Sequence, residues 1–251
     1  MSNAFERHGI THLSPSTINL FAAEPALFVM EKLLKRRGSV GAAAHRGTAA
    51  EAGIVMGLLD PAAPIADCQA HATREFDRLT ALSGDSRRDK EREAVSGIVA
   101  TGIAELRQYG IPSGVQVRVE KMIPGVPVPW LGFIDLHWDR FDPPVTLDIK
   151  SQLRLSSEIS SSHARQVAFY IYGTNHAARV GYFTPSKCGV YPLEDAQRPI
   201  ANLINIANRL ERFLAVSNDP AELAGLVVPD TDSFYYSDSM TRAMALEVFG
   251  L

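Results

Sequence analysis

Two neighbouring segments indicate the fold: Gly132-Phe133-Ile134-Asp135-Leu136-His137-Trp138 and, after the turn Asp142-Pro143-Pro144, Val145-Thr146-Leu147-Asp148-Ile149-Lys150. Apolar and polar residues alternate in the second segment, which is the period of a half-buried strand. Residues 115–119 alternate in the same way, with valine at every second position. Because short turns join antiparallel neighbours, these segments predict three consecutive antiparallel strands.

Helical spacing surrounds these strands on both sides. Apolar residues recur three and four positions apart through most of the first 110 residues, as in amphipathic helices. We predict one or two helices over 15–37, helices over about 41–59, 66–82 and 87–109, then after the strands a helix over 158–178, short strands near 180–183 and 188–192, and a helix over 195–216. This order predicts one α/β domain, 1–251, with a helical N-terminal part (about 12–110), a part made of sheet and helices (about 115–216) and a polar, aromatic tail (217–251) packed on the core.

Composition restricts the classes of function. The 251 residues include 25 Lys and Arg against 28 Asp and Glu, a formal charge of -3, so a surface that binds anions must be local. No apolar run approaches the ~18 residues of a membrane span, and Glu6, Arg7 and His8 stand where a signal peptide is apolar. Cys68 and Cys188 are typical of free thiols in a reducing compartment. We therefore expect a cytoplasmic protein without membrane partners.

The strand that carries Asp148 and Lys150 has the most informative chemistry. Their spacing of two places both side chains on one face, and Asp135 on the preceding strand can face the same way. Carboxylates repel one another on a buried face unless a cation neutralises them, and oxygen ligands at this density suit Mg²⁺ or Mn²⁺. Lys150 can then hold a phosphate or the attacking water. The alternative for any one of these residues is an ordinary place on the solvent face of an amphipathic strand.

Four short motifs occur in series along the chain. They are Gly47-Thr48-Ala49-Ala50-Glu51, Gly132-Phe133-Ile134-Asp135, Asp148-Ile149-Lys150 and Gln166-Val167-Ala168-Phe169-Tyr170. In this order they resemble the PD-(D/E)xK nuclease superfamily, and within it the RecB-like and phage-type exonucleases. The opening 12–16 and the tail around 232–236 extend the resemblance over nearly the whole chain. It implies a restriction-endonuclease-like core, a central mixed sheet flanked by helices.

The resemblance also implies a catalytic metal site. Asp135, Asp148 and the backbone carbonyl of Ile149 would bind one or two Mg²⁺ or Mn²⁺ ions, with Lys150 as the catalytic lysine. Glu51 stands where RecB-like nucleases carry a metal-binding His and phage-type exonucleases often carry Glu, so it is expected to join the catalytic metal ligands. The alternative for Glu51 is a surface position in the middle of a helix.

Further residues are expected around this site. Gln166 and Tyr170 lie one helical turn apart, and by the resemblance they help to position DNA and the active site. Glu120, on the strand before Asp135, faces away from the valines of that strand and is a candidate supporting residue. His45 is six residues before Glu51 and faces elsewhere on the helix, so it is expected to be structural or to support the ligands from behind.

A DNA-binding surface on this chain requires local basic clusters. We expect Lys35, Arg36 and Arg37 to contribute to one, and Arg46, beside the first motif, to contact phosphate. The alternative for Arg46 is a surface role without DNA. A second basic run over 87–92 is interleaved with acidic residues, which is typical of a solvated helix face.

Missing motifs narrow the expected activity. The chain has no phosphate-binding loop for ATP, no four-cysteine set for an iron–sulfur cluster, and no serine or zinc hydrolase signature. We therefore expect a Mg²⁺- or Mn²⁺-dependent DNA exonuclease in recombination, repair or phage DNA processing, working without ATP and with a recombinase, single-strand-binding protein or helicase as candidate partners. The alternatives are a structure-specific endonuclease, a catalytically silent DNA-binding protein that acts with a recombination partner, and a hydrolase of smaller phosphate esters.

Overall fold

The computed structural model describes residues 3–236 and 238–250. Its α-helices are α1 (Ala4–Arg7), α2 (Pro15–Ala23), α3 (Pro25–Phe28), α4 (Ala42–Leu59), α5 (Ile65–Leu79), α6 (Arg88–Leu106), α7 (Ser161–Thr174), α8 (Gln197–Leu214), α9 (Pro220–Ala224) and α10 (Ser239–Phe249). A π-helical turn covers Val29–Leu33, and 3₁₀ turns cover Arg107–Tyr109 and Phe234–Tyr236. The strands are β1 (Gly114–Lys121), β2 (Trp130–Trp138), β3 (Val145–Ser151), β4 (Ala177–Phe183) and β5 (Cys188–Pro192).

The five strands form one mixed sheet in the order β1-β2-β3-β4-β5. β2 and β3 are antiparallel, with Leu136 opposite Leu147, as the sequence predicts. β3 and β4 are parallel, with Asp148 opposite Val180, because α7 carries the chain back across the sheet between them. β5 is antiparallel to β4. The α/β class and the mixed sheet with flanking helices are confirmed.

The predicted helices are present, with shifted ends. The helix predicted over 41–59 is α4, and it ends before Asp60-Pro61 because a residue that precedes proline avoids the helical region. α7 is shorter than the predicted 158–178. Ser160 caps its start by accepting a hydrogen bond from the His163 amide, and Asn175 closes it in the left-handed conformation, with φ of 60°.

The chain divides into two compact units. The first contains Met1–Ser39, Val119–Gly132 and Asp195–Leu251, and the second contains Val40–Arg118 and Phe133–Glu194. The boundaries predicted for a helical part and a sheet part do not coincide with these units. α4 to α7 and most of the sheet belong to the second unit.

The core of the second unit lies between one face of the sheet and the helices α4, α5 and α6. Val145, Leu147 and Ile149 on β3 belong to this core. Gly53 allows α4 to approach the other two helices, since a Cβ there would lie 2.8 Å from side-chain atoms of both Ala72 and Val99. The alternate residues of β3 face the other way, toward the side of the sheet that α7 covers.

The tail contains two helices. α9 and α10 occupy much of 217–250, the segment that the sequence describes only as polar and aromatic. Asp238 caps α10 by accepting from the Thr241 amide, and the buried Tyr236 packs with Leu27 in a small core of the first unit. No helix in the described part of the chain combines the length and the apolar character that crossing a membrane requires.

Candidate functional site

Asp148 is a fully buried carboxylate in the middle of β3. Its Oδ2 lies 2.7 Å from the Lys150 ammonium nitrogen, which projects from the same face of the strand. Its Oδ1 is buried and has no hydrogen-bond partner among the described residues. A buried charged oxygen without a partner is costly, and a bound cation is one way to satisfy it.

Asp135 lies beside Asp148 because it is the next position in the antiparallel register of β2 and β3. The paired register stops at Leu136 and Leu147, and beyond it the Asp135 Oδ2 accepts a hydrogen bond of 2.7 Å from the Ile149 amide. Burial raises the pKa of Asp135 well above its usual range, and the charges of Asp148 and Glu51 add to this effect. The role of the Ile149 carbonyl as a ligand stays a prediction.

Glu51 reaches the same place from α4. The side-chain amide nitrogen of Gln116 donates to Glu51 and also, at 3.1 Å, to Oδ1 of Asp135. Burial raises the pKa of Glu51, against the hydrogen bond from Gln116, and the charge of Asp148 raises it further. The structure therefore brings together the three carboxylates that the sequence selects from three different elements.

Gln116 is the residue at this site that sequence reasoning did not select. In the sequence it is an ordinary polar member of an alternating strand. In the structure its φ of 50° places it in the left-handed region inside β1, which is uncommon for a residue other than glycine. Such conformations cluster at functional sites. No local sequence signal marks it, because a hydrogen bond to both Glu51 and Asp135 depends on tertiary contact.

A chain of hydrogen bonds fixes Lys150. Its Nζ donates to the Gln166 side-chain oxygen at 3.1 Å, the Gln166 amide nitrogen donates to the Tyr170 hydroxyl at 2.9 Å, and that hydroxyl donates to the Phe133 carbonyl at 2.7 Å. Tyr170 is only 2% exposed. Gln166 and Tyr170 thus orient the lysine. Their role in positioning DNA stays a prediction.

Lys150 is a stable cation in this setting. Burial by itself lowers the pKa of Lys150. The charge of Asp148, the hydrogen bond between Asp148 and Lys150, and the charge of Asp135 together outweigh burial, so the pKa of Lys150 is raised. The ammonium is therefore suited to hold an anion rather than to take up a proton. Next to it, burial and the charge of Lys150 lower the pKa of His163 to about 4, so this imidazole is neutral at pH 7, and its Nδ1 lies 2.7 Å from the Tyr182 hydroxyl.

Arg46 has a different place from the one predicted. It is 7% exposed, forms an ion pair with the equally buried Glu91 of α6, and donates to the Ser151 carbonyl at 3.0 Å and to its hydroxyl at 3.3 Å. Its guanidinium is committed to protein partners, so the expected phosphate contact is not supported by its placement. Arg46 instead ties the end of β3, directly after Lys150, to α4 and α6.

The remaining predicted residues lie elsewhere. Lys35, Arg36 and Arg37 are exposed in the first unit, where Arg36 pairs with Glu247 at 2.5 Å and Lys35 donates to the backbone of the π-helical turn. Glu120 is exposed on the part of β1 that belongs to that unit. His45 is half-buried on α4. Their roles at the site stay predictions.

The oxygen donors of the three carboxylates are of the type that binds a divalent cation, but their positions do not surround one. Within residues 3–236 and 238–250, no group of three or more His, Cys, Asp and Glu side chains is arranged to hold a metal ion as it stands. The amide of Gln116 lies between two of the carboxylates. The free oxygen of Asp148 and the all-oxygen donor set are what Mg²⁺ or Mn²⁺ requires.

Known proteins offer one structural likeness and no sequence match. No protein-family profile matches the chain, and no curated protein matches it in sequence. Among solved structures, the crystal structure of SSO0001 is similar with a TM-score of 0.38 and 12% identity, over 82% of this chain and 96% of that one. A likeness at this level carries no argument about function.

Proposed function

We propose that this protein is a Mg²⁺- or Mn²⁺-dependent deoxyribonuclease of the PD-(D/E)xK type, acting as an exonuclease. The observation that carries the proposal is Asp148, a fully buried carboxylate with an unpartnered oxygen, flanked by two further carboxylates and by a fixed lysine. Such a set is unfavourable in a purely structural role, because three carboxylates and one ammonium leave a net negative charge around the fully buried Asp148. A divalent cation compensates it.

In this proposal each residue has a distinct task. Asp135, Asp148 and Glu51 would hold the ion, together with the Ile149 carbonyl that the resemblance names. When bound, the ion would supply positive charge that stabilises the negative charge developing on the phosphodiester. Lys150 holds a phosphate oxygen or the attacking water through its ammonium, because the carboxylates keep it protonated.

Positioning of the lysine comes from α7. Gln166 and Tyr170 connect the Lys150 ammonium to the Phe133 carbonyl on β2, the strand that also carries Asp135. The lysine and a metal-binding carboxylate are thereby held in one hydrogen-bonded frame. Such pre-organisation lowers the barrier because the charged groups do not have to reorganise during the reaction.

The test uses purified full-length protein and three classes of substrate. End-labelled linear single- and double-stranded DNA, circular DNA and a small phosphodiester are incubated with Mg²⁺, with Mn²⁺ or with EDTA. Asp148→Asn and Lys150→Met remove the ligand and the ammonium, and we expect each to slow cleavage by about 10²-fold or more. Asp139→Asn and Lys187→Met are matched controls, because both residues are exposed and lie in the same unit.

The substrates separate the proposal from its alternatives. Degradation of linear DNA with circular DNA intact supports an exonuclease, whereas nicking of circular DNA identifies an endonuclease. Binding of DNA without cleavage of any form identifies a silent DNA-binding protein, and cleavage of the small ester alone identifies a phosphoesterase. Unchanged cleavage by both site variants contradicts the assignment of the site.

A further inference from the structure

Gln116 holds the position between two carboxylates where a cation would be expected. Its amide nitrogen donates one hydrogen to Glu51 and the other, at 3.1 Å, to Asp135. The two carboxylates therefore lie within about two hydrogen-bond lengths of each other and share one neutral group. A primary amide nitrogen carries partial positive charge, so it is a weak substitute for an ion.

A second observation indicates that this arrangement is incomplete. The neighbouring Asp148 is fully buried, and its Oδ1 has no partner among the residues that the structure describes. Lys150 neutralises one of the three carboxylates, through its contact of 2.7 Å with Asp148. A bound divalent cation would bring the site close to neutral, which the amide of Gln116 cannot do.

The backbone keeps Gln116 in this place at a cost. Its φ of 50° lies in the left-handed region, which is unfavourable for a residue with a Cβ. A strand that only had to pair with β2 would avoid that conformation. The strained backbone aims the side chain at Glu51 and Asp135.

We propose that Gln116 is a further residue of the metal site, whose amide nitrogen spans Glu51 and Asp135 in the metal-free protein and whose amide oxygen binds the divalent cation once it enters between them. A half-turn of the amide exchanges nitrogen for oxygen without moving the backbone. This inference rests on the proposed function, because it takes the same carboxylates as metal ligands.

An amide oxygen suits this role for reasons of charge and coordination number. Mg²⁺ requires six oxygen ligands, and a fourth carboxylate would add repulsion to a site that already carries three. A neutral side-chain oxygen adds a ligand without adding charge. Entry of the ion therefore exchanges two amide hydrogen bonds for one metal–oxygen contact.

The test measures Mn²⁺ binding without DNA, by the loss of the free-ion signal in electron paramagnetic resonance. Gln116→Gly removes the side chain and tolerates the positive φ, and Gln116→Met keeps a side chain of similar length without an amide oxygen. We expect both variants to weaken Mn²⁺ binding by about tenfold or more. Gln108→Ala is the matched control, since Gln108 is an exposed glutamine that also donates to a glutamate, Glu105, and it should leave binding unchanged.

The outcomes distinguish this inference from the proposed function. If Asp148→Asn weakens Mn²⁺ binding while Gln116→Gly binds as tightly as the parent or more tightly, the side chain only fills the space, and the inference fails alone. If the parent binds no Mn²⁺ at millimolar concentration, the proposed metal site fails and the inference fails with it. A thermal melt of each variant in EDTA verifies that it is folded, and Gln116→Met provides the same comparison if Gln116→Gly is not folded.

Discussion

Removal of one partner from the buried ion pair between Arg46 and Glu91 should be among the most destabilising single changes in the second unit. The perturbation is Arg46→Met, which keeps much of the side-chain volume and removes the guanidinium. Only 8% of the Arg46 side chain and 5% of the Glu91 side chain are exposed, so water cannot replace the lost partner. The same change removes two hydrogen bonds to Ser151.

The expected cost follows from this burial. Breaking a buried ion pair from one side costs about 3–5 kcal/mol, because an uncompensated charge remains inside the protein. Both partners are almost fully enclosed, and Arg46 also serves Ser151, so we expect about 4 kcal/mol for Arg46→Met. Glu91→Gln keeps an acceptor for the guanidinium and should cost less, about 2 kcal/mol. The double change to methionine at both positions leaves no charge and should recover most of the loss.

Urea unfolding followed by circular dichroism measures these free energies, with the slope of the transition as a check that its two-state character is kept. Arg78→Met is the matched control, because Arg78 pairs with Glu75 on the surface and its side chain is 68% exposed. Its unfolding midpoint should equal that of the parent. A cost below about 1 kcal/mol for Arg46→Met, or a double variant less stable than either single one, would show that the pair is not desolvated as the structure indicates.

Three other predictions follow from the site. Burial, and after it the charge of Asp148, raise the pKa values of Asp135 and Glu51, so the native state holds protons more tightly than the unfolded chain, and stability at pH 7 is reduced until the pH falls toward those values. Glu51→Gln should therefore raise the melting temperature in EDTA by about 2–4 °C, and a lower melting temperature contradicts this. Tyr170→Phe leaves the Phe133 carbonyl without its hydroxyl donor and should cost about 1–2 kcal/mol in urea unfolding, whereas no change in midpoint would show that the bond is not formed. Burial and the charge of Lys150 lower the pKa of His163 to about 4, so the unfolded chain takes up this proton at a higher pH than the native state, and stability falls between pH 6.5 and 4. The loss of stability over this range should be about 2 kcal/mol smaller in His163→Gln than in the parent. Parallel pH profiles of stability for the two proteins would contradict the assignment.

Local periodicity was sufficient for most of the fold. The alternation in 145–150 predicted β3, and the proline after Asp60 predicted the end of α4, both close to their observed bounds. Because these features depend on residues that are neighbours in sequence, they can be predicted from the sequence alone. The end of α7 depends on the left-handed Asn175 and the early start of β4, and it was overestimated.

Asp135, Asp148, Lys150 and Glu51 were selected from the sequence by spacing and by resemblance, and the structure places them together. The tasks of other residues could not be obtained in this way. Arginine is a residue type that often binds phosphate, so the sequence favours that role for Arg46. Only the folded structure shows that its guanidinium pairs with Glu91 of α6 and donates to Ser151 at the end of β3.

The α/β class, the antiparallel pair that carries the two aspartates and the type of chemistry that such residues support can be obtained from the order of the residues alone. Three further features depend on the folded protein: which oxygens lack a partner, why Lys150 stays protonated, and that a strained Gln116 spans two carboxylates. Periodicity and charge are properties of a segment, whereas desolvation and hydrogen-bond satisfaction arise only when distant segments exclude water from one another.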